Sequence, residues 1–326
     1  MTRIAVLDDW QGIARTSADW SDLQRRADVV FFEQPLGGLD AAARALAEFD
    51  ILLAMRERTA FPAALVQRLT RLRMLSVTGS RTRSLDLDAC TARRILVCGT
   101  GGERSGAATA ELALGLLLAA TRHVARADAS TRAGGFQSGV PVGSVLEGRT
   151  LGIVGLGRIG ARMARYAVAL GMQLLAWSQN LTQQRARAAG ARLVDKAELL
   201  AESDAVSLHL VLSDRTLGIL GAADLARMKP GAILVNTSRG PLVDEQAMLE
   251  RLRAGKLTAA LDVYGEEPLP ADHPLRSLPN VVLTPHLGYC THEVYAQFYR
   301  ESIENALAYL EGKPMRAFNP EVAQGR

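Results

Sequence analysis

The segment Gly155-Leu156-Gly157-Arg158-Ile159-Gly160 constrains this chain more than any other. It follows directly on an apolar run at residues 151–154 and opens directly into a helical stretch at residues 161–170. A GxGxxG pattern alone is weak, but a strand, the glycines and a helix in that order describe the turn that receives a dinucleotide pyrophosphate. Gly155 permits a tight turn, Gly157 lets a phosphate approach the backbone, and Gly160 lets helix and strand pack closely. Unpaired N–H groups at the helix start then favour an anion. Gly155, Gly157, Arg158, Ile159 and Gly160 are therefore candidate cofactor contacts.

The surrounding pattern agrees. Apolar runs at residues 4–7, 29–32, 51–55, 74–77 and 95–97 precede a glycine-rich stretch at residues 99–102. A long apolar helix is expected at residues 107–125, then a loose Gly/Ser/Pro segment at residues 133–148. Further strands are expected at residues 150–154, 173–177, 205–210, 232–235, 259–263 and 281–284. An amphipathic helix at residues 291–310 follows. Short strands alternating with helices indicate parallel α/β sheets, and 326 residues suit about two domains. The last helix can fold back on the first unit and make that domain discontinuous.

Composition narrows the function. Hydrophobic residues make up 48% and charged residues 22% of the chain, as in an ordinary globular protein. A net charge of +4 with interspersed signs offers no basic stripe for nucleic acid. Three cysteines, Cys90, Cys98 and Cys290, suggest neither a disulfide framework nor a thiolate metal site. Without a signal-like N-terminus or a run of about 20 apolar residues, a cytoplasmic protein without a membrane partner is expected.

The second strand of the later series ends at Trp177-Ser178-Gln179-Asn180. An acid in this place usually holds the ribose 2′-hydroxyl of NAD. Ser178 stands there instead, and Arg185 and Arg187 lie further on in an expected helix, so NAD and NADP both remain open.

Three polar motifs follow three strands: Asn236-Thr237-Ser238-Arg239-Gly240, then Asp262-Val263-Tyr264-Gly265-Glu266-Glu267-Pro268, then Thr284-Pro285-His286-Leu287-Gly288. Ligands bind beyond the carboxyl ends of parallel strands, so an arginine, a carboxylate and a histidine share the rim expected to hold the dinucleotide. Histidine can exchange a proton near neutrality, a carboxylate can fix its tautomer, and an arginine can orient a substrate carboxylate. His209 ends another strand at this rim, with a cofactor contact and a structural role equally open, whereas His123, His273 and His292 read as structural or surface residues.

Through these motifs the chain resembles the D-isomer-specific 2-hydroxyacid dehydrogenases, and it is phosphoglycerate dehydrogenase-like over nearly its whole length. The resemblance implies an NAD(P)-dependent oxidoreductase acting on a 2-hydroxy acid/2-keto acid pair. Arg239 matches the substrate-carboxylate arginine, Glu267 the acidic partner and His286 the acid–base histidine. Glu266 competes with Glu267, and only the spacing from Asp262 selects the latter. Asp262 matches a residue near the nicotinamide carboxamide, and Thr109 lies in the segment facing the nicotinamide. Thr237 and Gly288 join the cofactor candidates, and Arg56, Thr78, Gly79 and Ser80 resemble substrate-facing loops. The implied architecture is α/β with two doubly wound parallel sheets. A Rossmann-type cofactor domain, residues 102–289, is inserted in a flavodoxin-like substrate domain, residues 1–101 plus 290–326, with a cleft between them and a homodimer. A dinucleotide-sensing corepressor-like binding module is the alternative of another class. The basic turn from Gly79 to Ser84 suits a dianionic substrate or a solvated loop equally, and Glu267 disfavours formate as substrate.

Overall fold

The computed structural model describes residues 1–79, 84–102 and 104–323. It divides into one unit made of Met1–Arg104 with Cys290–Arg326, and a second made of Ser105–Tyr289.

In the first unit, β1 (Thr2–Val6), β2 (Ala27–Phe31), β3 (Ile51–Ala54), β4 (Met74–Val77) and β5 (Leu96–Gly99) form a parallel sheet in the order β2-β1-β3-β4-β5. This is the flavodoxin-like arrangement. Strands β3, β4 and β5 are buried at every residue, as expected where helices cover both faces. On one face Ala5, Leu7, Leu52, Leu75 and Val77 pack with Leu46, Leu65 and Leu69. The C-terminal helix His292–Leu310 also packs on this sheet. There Asn305 Nδ2 donates to Ser76 Oγ at 3.1 Å and to the Gly99 carbonyl at 2.9 Å. A buried amide with both hydrogens engaged ties the last helix to β4 and β5.

In the second unit, β6 (Thr150–Val154), β7 (Gln173–Trp177), β8 (Arg192–Leu193), β9 (Ala205–Leu208), β10 (Ala232–Asn236), β11 (Leu257–Leu261) and β12 (Val281–Leu283) form a parallel sheet. Its order is β12-β11-β10-β9-β6-β7-β8. Counted from its own first strand this is the doubly wound dinucleotide-binding order, with the switch between β6 and β9. Alternation along the strands builds two cores. Val154, Val206, Leu208, Leu234, Ala259 and Leu261 face the helices Lys196–Glu202, Ala222–Arg227 and Glu245–Arg253. Their neighbours Ile153, Ala205, Val235 and Ala260 face the helices Ser105–Arg122 and Arg158–Ala169. The two-residue period of a strand puts successive side chains on opposite faces, so both must be apolar here. No helix among the described residues is long and apolar enough to cross a membrane.

Candidate active site

The glycine-rich turn joins β6 to the helix Arg158–Ala169. Gly155 has φ +100°, where a side chain is strained. A Cβ on Gly160 would lie 2.2 Å from the Gly155 carbonyl oxygen, so only glycine permits this approach. Above Gly157 there is open space. A bound dinucleotide fits such a cradle, and the same rim holds an orphaned donor: Thr237 Oγ1 is buried without a hydrogen-bond partner among the described residues. His209 donates its backbone N–H to Val154 O at 2.8 Å, and its carbonyl borders Gly155. Burial pushes the His209 imidazole down to about 4, so it is neutral near neutrality, with Nε2 2.9 Å from Ser207 Oγ.

Three strand ends carry the polar motifs. After β10, Ser238 N–H donates to Asn236 Oδ1 at 3.0 Å and Asn236 Nδ2 donates to Arg239 O at 2.9 Å. The asparagine thus closes the turn that presents Arg239, whose Nη1 donates to Ser238 O at 2.6 Å. A Cβ on Gly240 would fall 2.0 Å from the Tyr264 carbonyl carbon, so this turn lies directly against the peptide after β11. That second turn presents Glu267, whose Oε1 accepts the Tyr264 N–H at 2.9 Å.

After β12 the chain returns over β11. Asp262 Oδ1 accepts Thr284 Oγ1 at 2.6 Å and Leu287 N–H at 2.7 Å, and Oδ2 accepts Gly288 N–H at 2.8 Å. The Asp262 carbonyl accepts the His286 N–H at 2.9 Å. His286 is thereby held at φ +55°, a conformation uncommon for a side-chain-bearing residue and one that accumulates at functional sites. Its Nδ1 lies 2.5 Å from Glu267 Oε2. Burial alone would raise the Glu267 carboxyl. The His286 hydrogen bond and charge, the Tyr264 N–H and the Arg239 charge outweigh it and hold the carboxyl below its ordinary range. Burial dominates at Asp262 and leaves that carboxyl above its ordinary range despite its donors. Thr109, on the helix Ser105–Arg122, donates to Gly288 O at 2.9 Å and Ser105 O at 2.8 Å, which fastens the same turn from the other side.

The sequence-derived residues of this unit therefore lie at the carboxyl ends of β6, β7 and β9–β12, with Thr109 on the helix Ser105–Arg122. Glu266 gives no contact with His286, whereas Glu267 does. Sequence reasoning missed Gly240, Tyr264 and Thr284 as parts of the frame. The glycine directly after Arg239 is the one signal that could have drawn attention there.

The remaining candidates belong to the first unit. Arg56, at φ +48°, donates its N–H to Thr78 Oγ1 at 2.9 Å. Gly79 donates its N–H to Thr100 Oγ1 at 2.8 Å, and a Cβ on Gly79 would lie 3.1 Å from Arg56 Nη1. These residues share the carboxyl ends of β3 and β4. Ser80 lies outside the described residues.

A doubly wound sheet with a glycine cradle, and a carboxylate–imidazole pair within reach of an arginine's charge, define a dinucleotide-binding α/β protein with an acid–base pair at the rim of its sheet. The family model for the NAD binding domain of D-isomer specific 2-hydroxyacid dehydrogenase matches residues 114–288. The D-3-phosphoglycerate dehydrogenase of Archaeoglobus fulgidus is 37% identical over 265 residues, 81% of this chain and 50% of that one. The glyoxylate reductase of Aeropyrum pernix is 38% identical over 271 residues, 80% of this chain and 81% of the relative. A crystal structure of a putative D-3-phosphoglycerate dehydrogenase oxidoreductase from Ralstonia solanacearum superposes with a TM-score of 0.92 at 36% identity, covering 100% of this chain and 99% of that one. The chain belongs to the D-isomer specific 2-hydroxyacid dehydrogenase family. It spans about half the length of the Archaeoglobus relative and about four fifths of the Aeropyrum one.

Proposed function

We propose that this chain interconverts a 2-hydroxy acid and its 2-keto acid, with His286 as acid–base, Glu267 as its partner and Arg239 as the anchor of the substrate carboxylate. The observation that carries this is the 2.5 Å contact between His286 Nδ1 and Glu267 Oε2 on a carboxylate that also feels the Arg239 charge. With Nδ1 committed to Glu267, proton exchange with substrate oxygen falls to Nε2. An ionised Glu267 stabilises the ring in its protonated form, which is the form that donates during reduction. The planar fork of Arg239 suits two parallel bonds to a carboxylate. The nicotinamide, when bound, takes or gives the hydride. Arg56, Thr78 and Gly79 form the substrate-facing rim of the first unit.

Steady consumption of NADH or NADPH with a panel of 2-keto acids, including glyoxylate and 3-phosphohydroxypyruvate, tests the reading. Turnover lost in His286→Ala with dinucleotide binding kept supports it. Tight dinucleotide binding without turnover across the panel would sink it in favour of a binding module.

The working form proposed is a homodimer. The helix Val124–Arg132 buries none of its residues, and beyond it Phe136, Val142 and Val145 are 78%, 96% and 71% exposed. A single chain leaves these three apolar side chains in water, whereas a second copy can cover them. Sedimentation equilibrium should give twice the chain mass, and Phe136→Ser with Val142→Lys should return the monomer.

A further inference from the structure

The segment between Glu147 and Asp195 contains seven arginines and no Asp or Glu. This stretch spans β6, the cradle helix, β7 and the short helix Gln183–Ala188. The Trp177 carbonyl at the end of β7 accepts the Gly155 N–H at 2.8 Å, which sets Ser178 beside the first glycine of the cradle. The chain then turns, with Leu181 N–H on Ser178 O at 3.1 Å, and Thr182 Oγ1 accepts the Arg185 N–H at 3.3 Å. From there the Arg185 side chain runs back to the cradle, where Nη2 donates to the Leu156 carbonyl at 3.3 Å. A hydroxyl and a guanidinium thus border the same turn.

Arg185 has no carboxylate partner among the described residues. Arg192, by contrast, is committed to Glu198 and Glu202. The Leu156 carbonyl engages one of the five N–H donors of the Arg185 guanidinium. An acid in place of Ser178 would repel a phosphate, whereas a neutral serine hydroxyl does not and can donate to one.

We propose that Ser178 and Arg185 form a binding site for the 2′-phosphate of NADP(H), and that this chain takes NADPH in preference to NADH. A guanidinium matches a phosphate edge with two N–H groups, and the chain from Gly148 to Val194 places no acid of its own beside them. The proposal deepens the oxidoreductase reading but rests only on the dinucleotide cradle.

Dissociation constants measured by titration calorimetry for NADPH, NADH and adenosine 2′,5′-bisphosphate test it. The parent should bind NADPH at least about tenfold more tightly than NADH, the yield of a good charge-assisted contact. Arg185→Gln should weaken NADPH and the bisphosphate by about tenfold or more and leave NADH within about twofold. Arg187→Gln, on an exposed face of the same helix, should change none of the three. The NADPH advantage should shrink with added salt. NADH bound as tightly as NADPH by the parent, or equal loss of both in Arg185→Gln, overturns the proposal. Because binding is read without turnover, a chain that prefers NADPH yet reduces no keto acid would retire the proposed reaction and keep this site.

Discussion

At the scale of single residues, the proposed chemistry depends on one charge and one missing methyl group. Glu267→Gln keeps the shape of the His286 partner and removes its charge. Reduction needs a proton from His286, and Glu267 holds that ring through Nδ1. Glu267→Gln should therefore lower kcat/KM in both directions by about tenfold or more and leave dinucleotide affinity nearly intact. Parental kcat/KM in the variant would uncouple the pair and make Glu266 the next residue to replace. Gly240 governs where Arg239 stands. A Cβ there meets the Tyr264 carbonyl carbon at 2.0 Å, so either the Arg239 turn or the Glu267 turn must shift. Misplacement of about 1 Å can cost about a hundredfold in rate. Gly240→Ala should lower kcat/KM by at least about tenfold with dinucleotide affinity nearly intact. Parental kcat/KM would show that the two turns are not mechanically joined.

At the scale of elements, the turn after β12 is held by an acid that sits on β11's continuation. Asp262 accepts three hydrogen bonds through its carboxylate and one through its carbonyl, all from residues 284–288. Asp262→Asn turns one of those acceptors into a donor aimed at an N–H or hydroxyl. A buried mismatch of this kind costs about 1–3 kcal/mol. Amides of residues 284–288 should exchange faster, and kcat should fall by about tenfold or more. Parental exchange in that turn would show that Asp262 does not hold His286 in place. This arrangement also marks how far the sequence could be read. Strand β7 was expected at residues 173–177 and is found at Gln173–Trp177, because its buried centre, residues 174–176, is covered on both faces and must be apolar. The two-residue edge strand β8 and the helices of six and seven residues on either side of it gave no comparable run. The long helix was expected at residues 107–125 but spans Ser105–Arg122, ending at His123 with φ +54°. Arg239, Glu267 and His286 were legible by residue type at strand ends. The Gly240 contact, the Asp262 bonds and the reach of Arg185 to Leu156 were not. They depend on approaches between separate segments, which no local pattern encodes.

At the scale of the whole molecule, two buried groups, one in each unit, make opposite contributions to stability on acidification. Burial raises Asp8, at the end of β1, from 3.8 to about 6, against the opposing Thr59 hydrogen bond and Arg58 charge. Between those values the folded first unit holds a proton that the unfolded chain has released. The contribution of Asp8 to stability therefore falls as pH rises through the window, by roughly 3 kcal/mol when complete. His209 in the second unit is lowered from 6.5 to about 4 by burial. There the unfolded chain binds the proton first, so stability is full above about pH 6.5 and is lost as pH falls towards 4, by up to roughly 3 kcal/mol. Asp262 is raised as well and offsets part of that loss, so single variants give the cleaner reading. Asp8→Asn keeps an acceptor for Thr59 Oγ1 and tolerates the φ of +62° at this position. It should slow amide exchange in β1 and β3 at pH 8 by about tenfold or more, with no gain near pH 4. His209→Gln should flatten the decline of the second unit's protection between pH 6.5 and 4 and leave the first unit unchanged. Exchange followed by mass spectrometry reads both units in one experiment. A first unit that loses protection on acidification in parallel with the second, in parent and Asp8→Asn alike, would mean that the Asp8 carboxyl is ionised in the folded chain throughout.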